Sequence, residues 1–240
     1  MFLPLSHKLH STVMLAPLTI PQRYRGPAAS ASGGYTAGLL AARLGGPQAE
    51  VTLRLPPPLD TLLAVEEDGE RLLLLDGGKL VAEIRPADPG ITAPSPPTPH
   101  EAETAARAAG GWGAPRFDEC FVCGSRADGS GLRIFVGVVE GRDDGLVAAP
   151  WVAVDPSPAI VWAAIDCAGA YALRGVERGA PLLARMTCRI DRLPEEGEPC
   201  VVAGWPLDDD GRKRHAATAL YGADGAAIAV SRQLWIEPRS

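Results

Sequence analysis

PAIVWAAIDCAGAYAL, residues 158–173, is the stretch on which the fold turns. Ser157 stands before it as an N-cap, Pro158 falls at the first helical position and Gly175 lies just past its end, so the spacing predicts one helix over 158–173. Asp166 is its only charged residue. A helix that is apolar on every side must be buried on every side. The chain after it supplies the cover. Residues 183–193 alternate, with Met186, Cys188 and Ile190 on one face and Arg185, Thr187 and Arg189 on the other, as a half-buried strand does. Three more strands are predicted at 200–207, 212–221 and 226–237, separated by turns at 208–211 and 223–225. One helix followed by an antiparallel meander buries both apolar surfaces only if the sheet wraps the helix.

The same order of elements stands earlier in the chain. GGYTAGLLAARL, residues 33–44, predicts a helix closed by Gly45-Gly46. A strand at 49–55 follows, then three more at 61–66, 70–75 and 79–85, with Asp68-Gly69 and Asp76-Gly77-Gly78 as hairpin turns. Two helix-plus-meander units in one chain suggest an internal duplication. Between them, residues 86–115 are rich in Pro and Gly and read as a linker. Within it Thr98-Pro99-His100-Glu101 is a capping box, predicting a short helix over 99–109. Residues 131–139 and 146–151 read as a hairpin. The expected organisation is an N-terminal unit at 1–85, the linker at 86–115 and a C-terminal unit at 116–240 that carries the helical acid.

Composition bounds the rest. Among 240 residues there are 27 Gly and 23 Pro, an excess that fits many turns between short elements. The net charge of −6 argues against nucleic acid as a partner, because phosphate binding needs a basic footprint. No apolar run reaches the roughly 18–20 residues that span a bilayer, so no membrane partner is expected. The apolar stretch at 11–18 is too short, and too interrupted by Pro17, for a signal peptide, and a cytoplasmic location is expected. Five scattered cysteines do not suggest a disulfide framework.

Asp166 is the candidate for chemistry. A buried, unpaired carboxylate costs several kcal/mol or takes up a proton, and is tolerated mainly where it works. Its helical neighbours Ala163, Gly169 and Ala170 are small and leave room for a substrate, and with Trp162 they are the expected pocket lining. The alternative is a structural Asp paired with Arg185, Arg189 or a backbone N–H.

A buried helix with a mid-helix acid, wrapped by an antiparallel sheet, resembles the hotdog fold of acyl-CoA thioesterases. Cys120-Phe121-Val122-Cys123-Gly124 followed by Gly131-Leu132-Arg133-Ile134-Phe135 resembles the segment that opens many domains of that superfamily. Asp166 falls where phenylacetyl-CoA-type thioesterases carry their catalytic Asp. Those relatives begin the helix with His-Gly-Gly, where this chain has Ser157-Pro158-Ala159. The N-terminal unit instead keeps Gly33-Gly34, and has Ala41 where its own acid would stand. The resemblance therefore implies an α+β double hotdog with one composite site. Asp166 would serve as general base or nucleophile. Gly33 and Gly34 would form the oxyanion site, with Tyr35 and Thr36 beside them. Free N–H groups at a helix start suit a developing oxyanion, and Pro158 lacks one. The implied substrate is an acyl-CoA or acyl-carrier-protein thioester, with no cofactor beyond the coenzyme A of the substrate, and a homodimer is compatible with the family. A non-catalytic acyl-CoA or acyl-carrier binding module is the alternative, and a hydratase or dehydratase is a further one.

Other motifs are weaker. Cys120-x-x-Cys123 has no second Cys or His pair nearby in sequence, so no metal is expected and the two read as small hydrophobes in a tight turn. Arg212-Lys213-Arg214 after Asp208-Asp209-Asp210 reads as a solvated hairpin tip rather than a phosphate site. Residues 22–27, QRYRGP, lead into the first helix and border the expected pocket.

Overall fold

The computed structural model describes residues 13–26, 29–109, 118–173 and 181–237. Strands β1 (Val13–Leu18), β2 (Gln48–Leu53), β3 (Leu63–Asp68), β4 (Arg71–Asp76) and β5 (Lys79–Arg85), with helix α1 (Gly33–Leu44), make the first half. Helix α2 (Pro99–Ala108) follows. The second half holds β6 (Gly137–Val138), β7 (Val147–Val152), α3 (Pro158–Ala164), α4 (Asp166–Ala172), β8 (Leu182–Ile190), β9 (Pro199–Asp210), β10 (Lys213–Tyr221) and β11 (Ala227–Ile236).

All strands described join one 11-stranded sheet in the order β1-β3-β4-β5-β2-β8-β11-β10-β9-β7-β6, and each neighbouring pair is antiparallel. Apart from β6, the order reads the same from either end, with β1 answering β7, β2 answering β8, and β3–β5 answering β9–β11. The halves meet where β2 pairs β8, with Val51 opposite Met186 and Glu50 opposite Thr187. Alternation sorts that seam. Val51, Met186, Ala49 and Cys188 are buried in the main core, while Glu50 on the other face takes hydrogen bonds from Arg85 (2.8 Å) and Thr187 (3.2 Å).

Helices α1, α3 and α4 lie on the inner face, and α1 crosses α3 directly. The crossing is close because small residues meet there. A Cβ on Gly38 would fall 2.5 Å from the Ala159 Cα, and one on Gly34 would fall 2.6 Å from the Asp166 Cβ. Gly204 on β9 plays the same part for α4, since a Cβ there would fall 2.5 Å from the Ala168 carbonyl oxygen.

Three expectations need correction, and one strand was not expected. Residues 158–173 do not form one helix. The ladder breaks at Ile165 (φ −93°, ψ 1°), whose carbonyl accepts a hydrogen bond from Gln233 Nε2 at 3.0 Å. The apolar stretch near the N-terminus contains a strand, β1, paired with β3 through Leu18 opposite Leu63. The hairpin expected from 131–139 shrinks to Gly137–Val138, because the N–H groups of Leu132 and Ile134 bond to the carbonyls of Phe121 (2.7 Å) and Val122 (2.9 Å) instead of to β7. Last, the helix expected in the linker forms with both bonds of its capping box, yet it is packed rather than loose. Its Ala102 and Ala105 sit in a second apolar cluster with Leu146, Ala148, Val201, Ala203 and Ala219, on the face of the sheet opposite α4. Residues 110–115 of the expected linker, and Gly175, lie outside the described residues.

Candidate active site

Asp166 begins α4, at the break held by Gln233. The Gln233 amide is 1% exposed, its Oε1 accepts from Trp235 Nε1 at 2.8 Å, and its Nε2 also reaches Ser231 Oγ at 3.1 Å. Gly169 leaves the space, since a Cβ there would overlap Gln233 Oε1. The break makes Asp166 the first residue of a new helical segment, turned toward the start of α1.

At that start, Ser32 caps α1 by accepting a hydrogen bond from Tyr35 N (3.3 Å). The next donor, Gly34 N–H, points at the other half of the molecule and donates to Asp166 Oδ2 at 2.8 Å. The two groups are 132 residues apart in sequence. Asp166 is 4% exposed, and its Oδ1 is buried with no hydrogen-bond partner among the described residues. Burial pushes the carboxyl up to about 7, against the pull of the Gly34 N–H and the Ser32 hydroxyl, with any charge on the Cys120 sulfur adding to the rise. Of the partners considered from sequence, the backbone N–H is the one found. Arg185 bonds to Thr52 and Arg189 to Asp191 instead.

Asp166 lines a cavity of about 420 Å³. Its walls come from both halves: Gly26 and Ala29–Gly33 ahead of and at the start of α1, Leu53–Pro57 after β2, Ala170 and Tyr171 on α4, Leu182–Ala184 on β8, and Trp235 and Ile236 on β11. Most of these side chains are apolar. The cavity can therefore receive an apolar group and present one carboxylate to it.

The expected site residues divide. Gly33, Asp166 and Ala170 line the cavity, and Gly34 meets Asp166 through its N–H. That N–H is already engaged by the carboxylate, so the donor left at the helix start is Gly33 N–H, which takes no part in the bonds of Ser32, Gly34 or Tyr35. The others lie elsewhere. Tyr35 stacks on Tyr24 with ring centroids 3.7 Å apart, with Phe121 edge-on, and burial raises its hydroxyl above the usual range. Thr36 is fully buried and donates to the Ser32 carbonyl at 2.8 Å. Trp162 and Ala163 are in the core, and Gly169 faces Gln233. A helix has several sides, and spacing from Asp166 does not say which of them meets the cavity. Gly26, from the segment before α1, does reach the wall. Pro27 lies outside the described residues. The basic hairpin tip is neutralised locally, with Arg214 3.1 Å from Asp209 and 3.3 Å from Glu237.

Sequence reasoning missed Ser32, whose place before Gly-Gly marks it as an N-cap. It also treated Cys167 as isolated. The Sγ atoms of Cys120, Cys123 and Cys167 lie within 4.8 Å of one another on the same cavity wall, with Cys120 and Cys167 3.9 Å apart. Hydrogen bonds from Cys123 and Cys167 hold the Cys120 thiol below its usual range and push those two above it.

A second cavity of about 360 Å³ lies at the mirrored place, lined by Ala41, Ala42, Gly45 and Gly46 at the end of α1, Pro158 and Trp162 on α3, and Ile190 at the end of β8. Ala41 stands there as Asp166 does in the first cavity, and Pro158 as Gly33 does.

No protein-family model matches the chain, and no curated protein matches it in sequence. Solved structures do match it in shape. A candidate thioesterase II from Thermobifida fusca YX is 16% identical with a TM-score of 0.66, covering 93% of each chain. Acyl-CoA thioesterase II TesB2 from Mycobacterium marinum is 13% identical with a TM-score of 0.56, covering 92% of each chain. A hotdog-fold protein of unknown function from Alicyclobacillus acidocaldarius is 11% identical with a TM-score of 0.60, covering 95% of this chain and 93% of its own. The likeness over nearly the whole length gives this chain the hotdog fold. No helix among the described residues is long and apolar enough to cross a membrane.

Proposed function

We propose that the chain is a thioester hydrolase of the hotdog thioesterase superfamily, a double hotdog whose two units share one working site. The observation behind it is Asp166: a lone, buried carboxylate at the wall of an apolar cavity, with Oδ2 pinned by Gly34 N–H across the helix crossing and Oδ1 without a partner. An unsatisfied buried oxygen is costly unless something comes to use it. A carboxyl near 7 is matched to proton transfer at neutral pH.

In this reading the acyl group lies along Leu53, Leu55, Leu182 and Trp235. The thioester carbonyl lies near the start of α1, where Gly33 N–H and the positive end of the helix stabilise its developing charge. Asp166 removes a proton from water as the water oxygen bonds to the carbonyl carbon. The C–S bond then breaks, and the thiolate leaves with the proton that Asp166 held. Direct attack by Asp166 to give a mixed anhydride, later cleaved by water, uses the same geometry. The name of one structural relative, an acyl-CoA thioesterase, favours an acyl-CoA thioester over other esters.

The test is thiol release over a panel of acyl-CoA substrates by the wild type and Asp166→Asn. The expected loss is at least about 100-fold, the usual worth of a positioned general base. An equally active variant would overturn the assignment. Saturable binding of acyl-CoA without turnover by the wild type would replace it with a binding module.

A further inference from the structure

We propose that Cys120, Cys123 and Cys167 form a metal site for a thiophilic divalent cation, zinc(II) foremost, with a fourth position open to the cavity. Three features support it. The first is distance. Zinc–thiolate bonds of about 2.3 Å in a tetrahedron set the sulfurs about 3.8 Å apart. The Cys120–Cys167 pair is already at 3.9 Å, and every pair lies within 4.8 Å, so closing on an ion asks only for side-chain rotation.

The second is the turn that holds two of the three. Cys120-x-x-Cys123-Gly124 folds back so that Gly124 N–H donates to the Cys120 carbonyl at 3.0 Å, and a Cβ on Gly124 would overlap the carbonyls of Asp118 and Cys120. The turn is fixed to the first half by Phe121 N–H on the Arg25 carbonyl (2.7 Å) and to its own chain by Leu132 N–H on the Phe121 carbonyl (2.7 Å). Ligands on a rigid turn and on α4 make a site that exists before the ion arrives.

The third is access. All three cysteines line the 420 Å³ cavity, so an ion bound to them has three protein ligands and one face toward the cavity, where water or a small thiol can coordinate. Two free cysteines, Cys188 and Cys200, lie outside the cluster and provide a control. The site is read as metal content without substrate and does not depend on hydrolysis.

The experiment uses the full chain, purified under reducing conditions, stripped with chelator, loaded with zinc(II) and desalted. Elemental analysis should find about one zinc per chain in the wild type and in Cys200→Ala, and less than about a tenth of that in Cys123→Ser and Cys167→Ser. Cobalt(II) loaded into the wild type reports the ligands without any variant: intense visible bands mark a tetrahedral site and near-ultraviolet charge transfer marks thiolate ligands. A small thiol added in excess should shift those bands through the open position. Wild-type protein that retains less than about a tenth of an equivalent of zinc, full retention by both serine variants, or a cobalt spectrum without thiolate charge transfer would each overturn the site. A cobalt spectrum indifferent to added thiol would overturn its open fourth position.

Discussion

Gly33 and Gly34 are adjacent and identical in type, yet alanine should affect them very differently. At Gly34 the new Cβ would fall 2.6 Å from the Asp166 Cβ, 2.7 Å from the Trp162 carbonyl oxygen and 2.9 Å from Asp166 Oδ2. Ordinary contact begins at 3.4 Å, so α1 and the α3–α4 pair must part by about 0.8 Å, and the atoms in the way are backbone and Cβ rather than flexible tips. Overpacking of this kind costs about 1–3 kcal/mol. For a chain of this length about 2 kcal/mol lowers Tm by about 4–8 °C. The same displacement lengthens the 2.8 Å bond from Gly34 N–H to Asp166 and moves the carboxylate relative to the helix start. A misplacement near 1 Å can cost about 100-fold in rate. At Gly33 the Cβ meets only the tips of Leu183 and Leu53, each at 3.0 Å, which can rotate away. Gly33→Ala should therefore stay within about 0.5 kcal/mol of the wild type. The assay is thermal unfolding and thiol release for the two variants side by side. If Gly34→Ala matched Gly33→Ala in both Tm and rate, the close crossing of the two halves at Asp166 would be wrong.

In protein stripped of metal, the Asp166 carboxyl near 7 folded and 3.8 unfolded means that the native state keeps a proton the unfolded chain gives up. Stability attributable to this group is then full below 3.8 and falls as pH rises toward 7, and kcat/KM should rise through the same upper range as the base ionises; unfolding and rate profiles that move together would contradict it. Gln233→Leu leaves the Trp235 N–H unsatisfied inside the core, which should lower stability by about 1–3 kcal/mol in denaturant unfolding.

What could be read from the chain was local. The alternation in β8 and the Asp-Gly turns act over a few residues, and so both meanders were legible. Asp166 was legible because one charge in an apolar helix violates a rule that needs no partner to be seen. What pairs with that charge was not, since Gly34 lies 132 residues away and contributes a backbone N–H that every residue but proline has. Cys167 looked isolated for a related reason: 47 residues separate it from Cys120, and only the fold brings them together. Gln233 had left a trace, as a polar side chain that alternates with Ser231 and Trp235 on one face of the strand AIAVSRQLWI. Residues 158–173 misled because helix signals at both ends say nothing of a side chain on β11 that opens the middle.

The two halves mirror each other in strand order but not in chemistry, and packing explains how both can be true. Each helix crossing demands small residues whatever else happens there: Gly38 against Ala159 on one side, Gly34 against Asp166 on the other. Those constraints hold α1 close to α3 and α4. They do not require an acid. At the mirrored cavity Ala41 is only partly buried, so a carboxylate in its place would carry a smaller desolvation cost than Asp166. The residue that answers Gly33 there is Pro158, which has no N–H to offer an oxyanion. With that donor missing, an acid there would have no stabilised oxyanion to act beside. The reverse holds at the first cavity, where Gly34 N–H offsets part of that cost and Gly33 stands open beside it. A chain with its proline and its acid on the same half is thus left with a single place where donor and carboxylate meet.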